Sequence, residues 1–168
     1  MIRTFIIALA LLFTVNILPQ DGDAKTGRKA PNFKLENIDK KYVELNKETG
    51  DGPVLLSFWA TWCKPCVEEL AEFSKIYKEY KDQGFKMFAI STDNEKSVSK
   101  VKPLIKSKGY EFPVLLDTNS ETARIYYANP IPYTVLLDKN GNIVYTHRGY
   151  TKGDEIQLKE KLIELLKN

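Results

Sequence analysis

The chain has two cysteines in 168 residues, Cys63 and Cys66, separated by Lys64-Pro65. Their setting restricts what the chain can fold into. A near-continuous apolar run, Pro53 to Trp59, leads in. Val67, Leu70, Phe73, Ile76, Tyr77 and Tyr80 recur at helical spacing on the way out. A buried strand, a short turn and an amphipathic helix from about Lys64 to Asp82 place the first sulfur at a helix N-terminus. Unpaired N–H groups and the helix dipole there favour a thiolate. Cys63 is expected to be exposed, with Cys66 one turn further in and close enough to form a disulfide with it. Pro65 suits the first helical turn, where a missing N–H loses no intrahelical partner.

Three other readings compete. A structural disulfide closing so short a loop gains little unfolded-state entropy. A zinc site needs about four ligands, and beyond the two cysteines there is one histidine, His147. A chance C-x-x-C is common, but this one is flanked by Trp62 and Pro65 and lies between strand and helix. The expectation is therefore a redox-active dithiol with no metal and no further cofactor. A Cys–His hydrolase would need His147 beside Cys63; on an expected hairpin strand it reads as a surface or strand-face residue.

Apolar residues at 43% and charged residues at 28% fit one globular domain plus a leader. A net charge of +3 from 25 basic and 22 acidic residues, with no Lys/Arg-rich run, argues against nucleic acid. A monomer is expected. Residues 1–24 read as a signal peptide: Arg3 is the positive start, Phe5 to Val15 the apolar core, and Gly22 and Ala24 the small residues of a cleavage site. An uncleaved anchor is the alternative, although the apolar run falls short of about 18 residues. No cysteine lies in this segment, which excludes a lipid-modified cysteine anchor. Export would place the dithiol in an oxidising compartment outside the cytosol.

Residues 25–30 read as a polar linker and 31–168 as the folded domain. Phe33/Leu35 and Tyr42–Leu45 alternate around a polar turn, the pattern of an N-terminal hairpin. Further strands are expected at 85–90, 111–116, 134–137 and 143–148, and helices at 94–108, 121–127 and 154–166. Pro103 should kink the 94–108 segment or mark the helix's real start. Asn140-Gly141 signals the turn between the last two strands. Strand–helix alternation closed by a hairpin and a helix gives an α/β sandwich with a mixed sheet.

Several blocks carry a family resemblance: Ala30-Pro31-Asn32-Phe33, Ser57 through Cys66 (SFWATWCKPC), Glu69-Leu70, Phe112 through Asp117 (FPVLLD), Ile131-Pro132-Tyr133-Thr134, and Leu137 through Gly141 (LDKNG). The segment from about Ala30 to Gly149 resembles the TlpA/ResA-like branch of the thioredoxin superfamily. These are extracytoplasmic thiol-disulfide oxidoreductases, some of them working in cytochrome c maturation. The resemblance implies a thioredoxin-like α/β sandwich with a central mixed β-sheet flanked by helices. It also implies an N-terminal β-hairpin and an inserted strand–helix region within Ser91 to Ala128.

Residue by residue, the resemblance implies that Cys63 is the attacking nucleophile and Cys66 the resolving thiol. Pro132 matches a cis-proline packed against the dithiol; an ordinary trans turn proline, or a register shifted to Pro130, is the alternative. The backbone of Ile131 would then offer edge hydrogen bonds to a substrate chain. Glu69 matches an acidic residue beneath the site. Three residues after Cys66 on a helix, it would share that face and could take the proton from Cys66; otherwise it is a solvent-facing glutamate like Glu68. Trp62 reads as a flat contact for the partner chain or a cover over the dithiol. Lys64 adds positive charge near the thiolate or is merely solvated.

Two positions depart from related patterns. Ser57 stands where cytosolic thioredoxins have a buried aspartate, which leaves Glu69 as the carboxylate of the site. Ala71 stands where many members have proline. Implied partners are disulfide-containing exported proteins, and a membrane thiol-disulfide transporter as electron donor. A peroxidase of the peroxiredoxin-related type would need Pro-x-x-x-Thr-x-x-Cys, and Leu56 and Ala60 occupy those places before Cys63. A peptide-binding chaperone using the groove by Pro132 would keep binding after both cysteines become serine.

Overall fold

The computed structural model describes residues 26–167; the expected leader, 1–24, lies outside them. The central strand β3 (Val54–Trp59) is buried along its whole length. An apolar run without polar alternation suits a strand covered on both faces. Its pleat sends Leu55, Ser57 and Trp59 to one face and Val54, Leu56 and Phe58 to the other. β3 pairs in parallel with β4 (Lys86–Ser91) and antiparallel with β6 (Tyr133–Leu137). With β1 (Lys34–Asn37), β2 (Tyr42–Glu44), β5 (Val114–Leu116) and β7 (Ile143–Arg148), the sheet runs β2-β1-β5-β4-β3-β6-β7.

Helices cover both faces of this mixed sheet. Helix α1 (Lys64–Tyr80), α2 (Val101–Lys108) and α4 (Asp154–Leu166) bury Leu70, Phe73, Ile105, Leu158 and Leu162 with Leu55, Trp59 and both cysteines. On the other face, α3 (Glu121–Ile125) contributes Ala123 to a cluster with Leu56, Phe58, Tyr126 and Tyr133. The rings of Phe58 and Tyr126 lie 5.4 Å apart there. Burying a side chain of this size contributes about 1.5–3 kcal/mol. The two half-cores fix the sheet in place and leave the C-terminal ends of β3 and β4 to carry loops.

The N-terminal hairpin forms as the alternation indicates, with Leu35 opposite Val43. It joins the sheet through β5, which pairs with β1 antiparallel and with β4 in parallel. Helix α2 starts at Val101, so Pro103 falls in the first turn, where its missing N–H is harmless; the preceding 94–100 is turn and 3-10 helix. Strand β5 is shorter than expected because Phe112-Pro113 stays outside it. Helix α3 ends early: Tyr127 adopts φ +56. In the β6–β7 turn only Gly141 takes positive φ, at +77, with its N–H donated to the Asp138 carbonyl.

Part of the segment expected to be a linker is held against the sheet. Gly27 N–H donates to the Ile143 carbonyl, Ile143 N–H to that of Arg28, and Ala30 N–H to that of Gly141, at 2.7–2.9 Å. Side-chain composition alone gave no sign of this backbone pairing. No helix among the described residues is long and apolar enough to cross a membrane.

Candidate active site

Cys63 is the N-cap of α1, with extended backbone angles (φ −90°, ψ 97°), and its sulfur accepts the N–H of Cys66 at 3.3 Å. Pro65 lies in the first helical turn, as its chemistry requires. The two sulfurs form a disulfide across a Cα–Cα distance of 5.3 Å. Cys63 is less open than its sequence position suggests: it is 6% exposed, against 0% for Cys66. Its sulfur is tied inward to Cys66, and both cysteines belong to the α1-face cluster with Trp59 and Ala60. The asymmetry survives the correction, since the helix end still presents Cys63 before Cys66. Trp62 is 68% exposed and stands beside the pair. Lys64 points into solvent, with Nζ 4.0 Å from Glu68, so its charge is shared and well screened.

Glu69 is not a second Glu68. It is 1% exposed, between α1 and the sheet. Ser57 Oγ donates to its Oε2 at 3.2 Å and Thr134 Oγ1 to its Oε1 at 3.0 Å. Burial raises its carboxyl from the ordinary value to about 8; the two hydroxyl bonds oppose that shift, and the charge of Asp154 adds to it. A cavity of about 10 Å³ touches Glu69, Thr134, Tyr145, His147 and Asp154, space for one water at most. Thr134 and His147 face each other across β6 and β7, and His147 Nε2 lies 3.1 Å from Asp154 Oδ2. His147 is thus a strand-face residue, remote from Cys63 in role but close to the carboxylate.

The loop before β6 carries two cis peptide bonds, Asn129–Pro130 and Ile131–Pro132. The second matches the expected cis-proline; the first, at the position of the alternative register, is cis as well, and two cis bonds together were not expected. Ile131 is half-buried and packs against both half-cores, and its backbone N–H and C=O make no hydrogen bond within the described residues. Arg148 holds this loop. Its guanidinium donates to the carbonyls of Pro130 (3.2 Å) and Tyr127 (2.9 Å) and lies 4.5 Å from the Tyr133 ring centroid.

Sequence reasoning missed a third support. Asp93, fully buried just past the end of β4, accepts from Thr61 N–H at 2.8 Å and from Thr61 Oγ1 at 2.6 Å. That fixes the turn immediately before Trp62-Cys63. A buried aspartate at the end of a parallel strand, beside the strand that leads to the dithiol, was the available signal. Among the described residues no three or more His, Cys, Asp or Glu side chains gather as a metal site. A dithiol that opens and closes at a helix N-terminus, above a buried proton-holding carboxyl, can exchange disulfides with another protein.

Comparison with known proteins agrees with this chemistry. The model of the AhpC/TSA family matches residues 26–146. The thiol-disulfide oxidoreductase ResA of Halalkalibacterium halodurans is 34% identical over 161 residues, covering 96% of this chain and 88% of that protein. ResA of Bacillus thuringiensis subsp. konkukian is 36% identical over 141 residues, covering 84% and 76%. A Chlorobium tepidum structure assigned as the thiol:disulfide interchange protein DsbE superposes with a TM-score of 0.77 at 29% identity, covering 84% of this chain and 98% of that one. With its dithiol, its thioredoxin-like sheet and these relatives, the chain belongs to the AhpC/TSA family and, within it, to the ResA-like thiol-disulfide oxidoreductases, enzymes that act on disulfide-containing substrates.

Proposed function

We propose that this oxidoreductase works as a reductant, outside the cytosol, on disulfides of exported proteins, apocytochrome c among them. The observation that carries the reading is Glu69: a buried carboxyl one turn beyond Cys66, with its affinity for protons raised to about 8. Cys66 is fully buried and must lose a proton before it attacks. A base tuned near the working pH is what that step needs. The leader pattern in residues 1–24 and the resemblance to ResA support the compartment.

In the reduced protein the Cys63 thiolate attacks one sulfur of a substrate disulfide. A mixed disulfide forms, and the departing substrate sulfur takes a proton from solvent. The Cys66 thiol gives its proton to the Glu69 carboxylate, and Cys66 sulfur attacks Cys63. The second substrate sulfur leaves as a thiolate and takes its proton from solvent, two electrons have passed to the substrate, Cys63–Cys66 is the disulfide, and Glu69 later releases the Cys66 proton. Trp62 and the Ile131 backbone hold the substrate chain against Pro132, while Lys64 and Pro65 tune the helix end. No cofactor beyond the dithiol enters. A membrane thiol-disulfide transporter returns the electrons, and the enzyme acts as a monomer.

The test is the reduction potential of the Cys63–Cys66 pair, equilibrated against defined thiol buffers. A value at or below about −220 mV fits the reductant. A value near about −120 mV makes the protein a disulfide donor and overturns the proposed direction.

A further inference from the structure

A groove of about 830 Å³ opens beside the dithiol, between Trp62 and the end of α3. Its walls include Trp62, Arg124, Tyr127, Ile131 and Arg148, and no aspartate or glutamate lines it. Two features give it a chemical preference. The first is aromatic. Trp62 and Tyr127 are 68% and 60% exposed, and Tyr127 is held in place: its N–H donates to the Arg124 carbonyl at 3.1 Å, and its own carbonyl accepts from Asn129 N–H and Arg148. The second is charge. Arg148 brings one guanidinium to the wall while it holds the proline loop. Arg124, exposed in the last turn of α3, brings another whose side chain has no hydrogen bond or ion pair among the described residues.

Ile131 supplies the backbone edge at the same groove. A chain that pairs there is extended, and its alternate side chains point the same way. We infer that the groove selects disulfide-bearing polypeptide segments in which an acidic residue lies within a few positions of the target cysteine, with Arg124 reading the carboxylate. This rests on the oxidoreductase reading and adds the substrate class. The aromatic faces take the neighbouring apolar or aromatic side chain, and the absence of acidic lining disfavours basic segments.

The experiment uses two disulfide-bridged peptides, identical except for Glu or Lys two and three residues from one cysteine. Their kcat/KM values are measured with the reduced full-length protein at low and at high salt. The wild type should prefer the Glu peptide by about tenfold at low salt and less at high salt. Arg124→Gln should shrink the ratio and Arg124→Glu should abolish or invert it. Lys75→Glu makes the same change of charge on a remote face of α1, where Lys75 pairs with Glu72, and should leave the ratio as it was. If both peptides are reduced but Arg124→Glu leaves the ratio untouched, or Lys75→Glu moves it equally, the assignment of Arg124 is wrong and the oxidoreductase reading stands. If the wild type reduces neither peptide, the proposed reductase function falls, and the substrate preference with it.

Discussion

Two regions of the molecule bury carboxylates, and they satisfy them differently. Under the dithiol, Glu69 receives only hydroxyl donors, from Ser57 and Thr134. At the C-terminal rim of the sheet, Asp93 and Asp117 receive backbone N–H groups. Asp93 takes that of Thr61 alongside the hydroxyls of Thr61 and Ser91, and Asp117 takes those of Thr122 and Ala123 at 3.1 and 2.8 Å. An N–H can only donate, so it fastens a carboxylate to a loop or a helix start. A hydroxyl can turn and accept instead, so Glu69 keeps its hydrogen bonds with or without its proton. The rim carboxylates build the frame that presents Trp62-Cys63 and α3. The inner one is left able to change charge.

The sharpest way to break this contrast is to follow stability against pH in the wild type and in Glu69→Gln. The Glu69 carboxyl is raised from 4.5 to about 8 in the folded protein. Between those values the folded state holds a proton that the unfolded state has released, so this contribution to stability is complete below 4.5 and is lost as pH rises through about 8. Glu69→Gln lacks that slope. Its stability relative to wild type should climb by an amount of order 4 kcal/mol between pH 5 and pH 9, measured by denaturant unfolding. A flat difference would mean that Glu69 does not hold its proton. The same variant should slow resolution of the mixed disulfide by about 100-fold at pH 8, read in single-turnover kinetics.

Removing a rim carboxylate should act in the opposite sense. Asp93→Ala removes the bonds that Asp93 makes to the partly buried Thr61 N–H and to the Thr61 and Ser91 hydroxyls, and should destabilise by about 2 kcal/mol. It should also impair reaction at Cys63, because Trp62-Cys63 follows that turn. Asp117→Ala removes the two bonds at the start of α3 and should destabilise by about 2 kcal/mol. If Asp93→Ala behaves like a surface change in thermal unfolding, the framing role is wrong. The smallest effect is kept for Thr134→Val. It deletes one of the two bonds that lower the Glu69 titration, so the ascending limb of the rate profile, where the Glu69 base ionises, should move upward in pH, with a stability change of about 1 kcal/mol.

What was legible in the sequence was local. The helix start at Cys63-Lys64-Pro65-Cys66, the covered strand β3, and Pro132 and Glu69 within family-like blocks are each readable from a few adjacent residues. What was not legible depends on partners far along the chain. Asp93 holds Thr61 only because β3 and β4 run in parallel register. Arg148 reaches the Tyr127 and Pro130 carbonyls only because β7 returns beside β6. Gly27 to Ala30 pair through backbone, which leaves no mark in side-chain type. Cys63 was expected to be open because a helix terminus usually is, and the sulfur is instead drawn inward by its bond to Cys66.

The β1–β2 hairpin sets an order of assembly. A two-stranded hairpin is marginal by itself in water. This one reaches the rest of the sheet through β5, with Glu36 opposite Leu116, about 80 residues further along the chain. Chains are synthesised from the N-terminus, so the first strands to appear must wait for most of the polypeptide before they have a neighbour. Any chain ending short of Val114 would carry Leu35 and Val43 with no sheet to dock on. Completion of the N-terminal edge therefore reports that the chain has been made past β5.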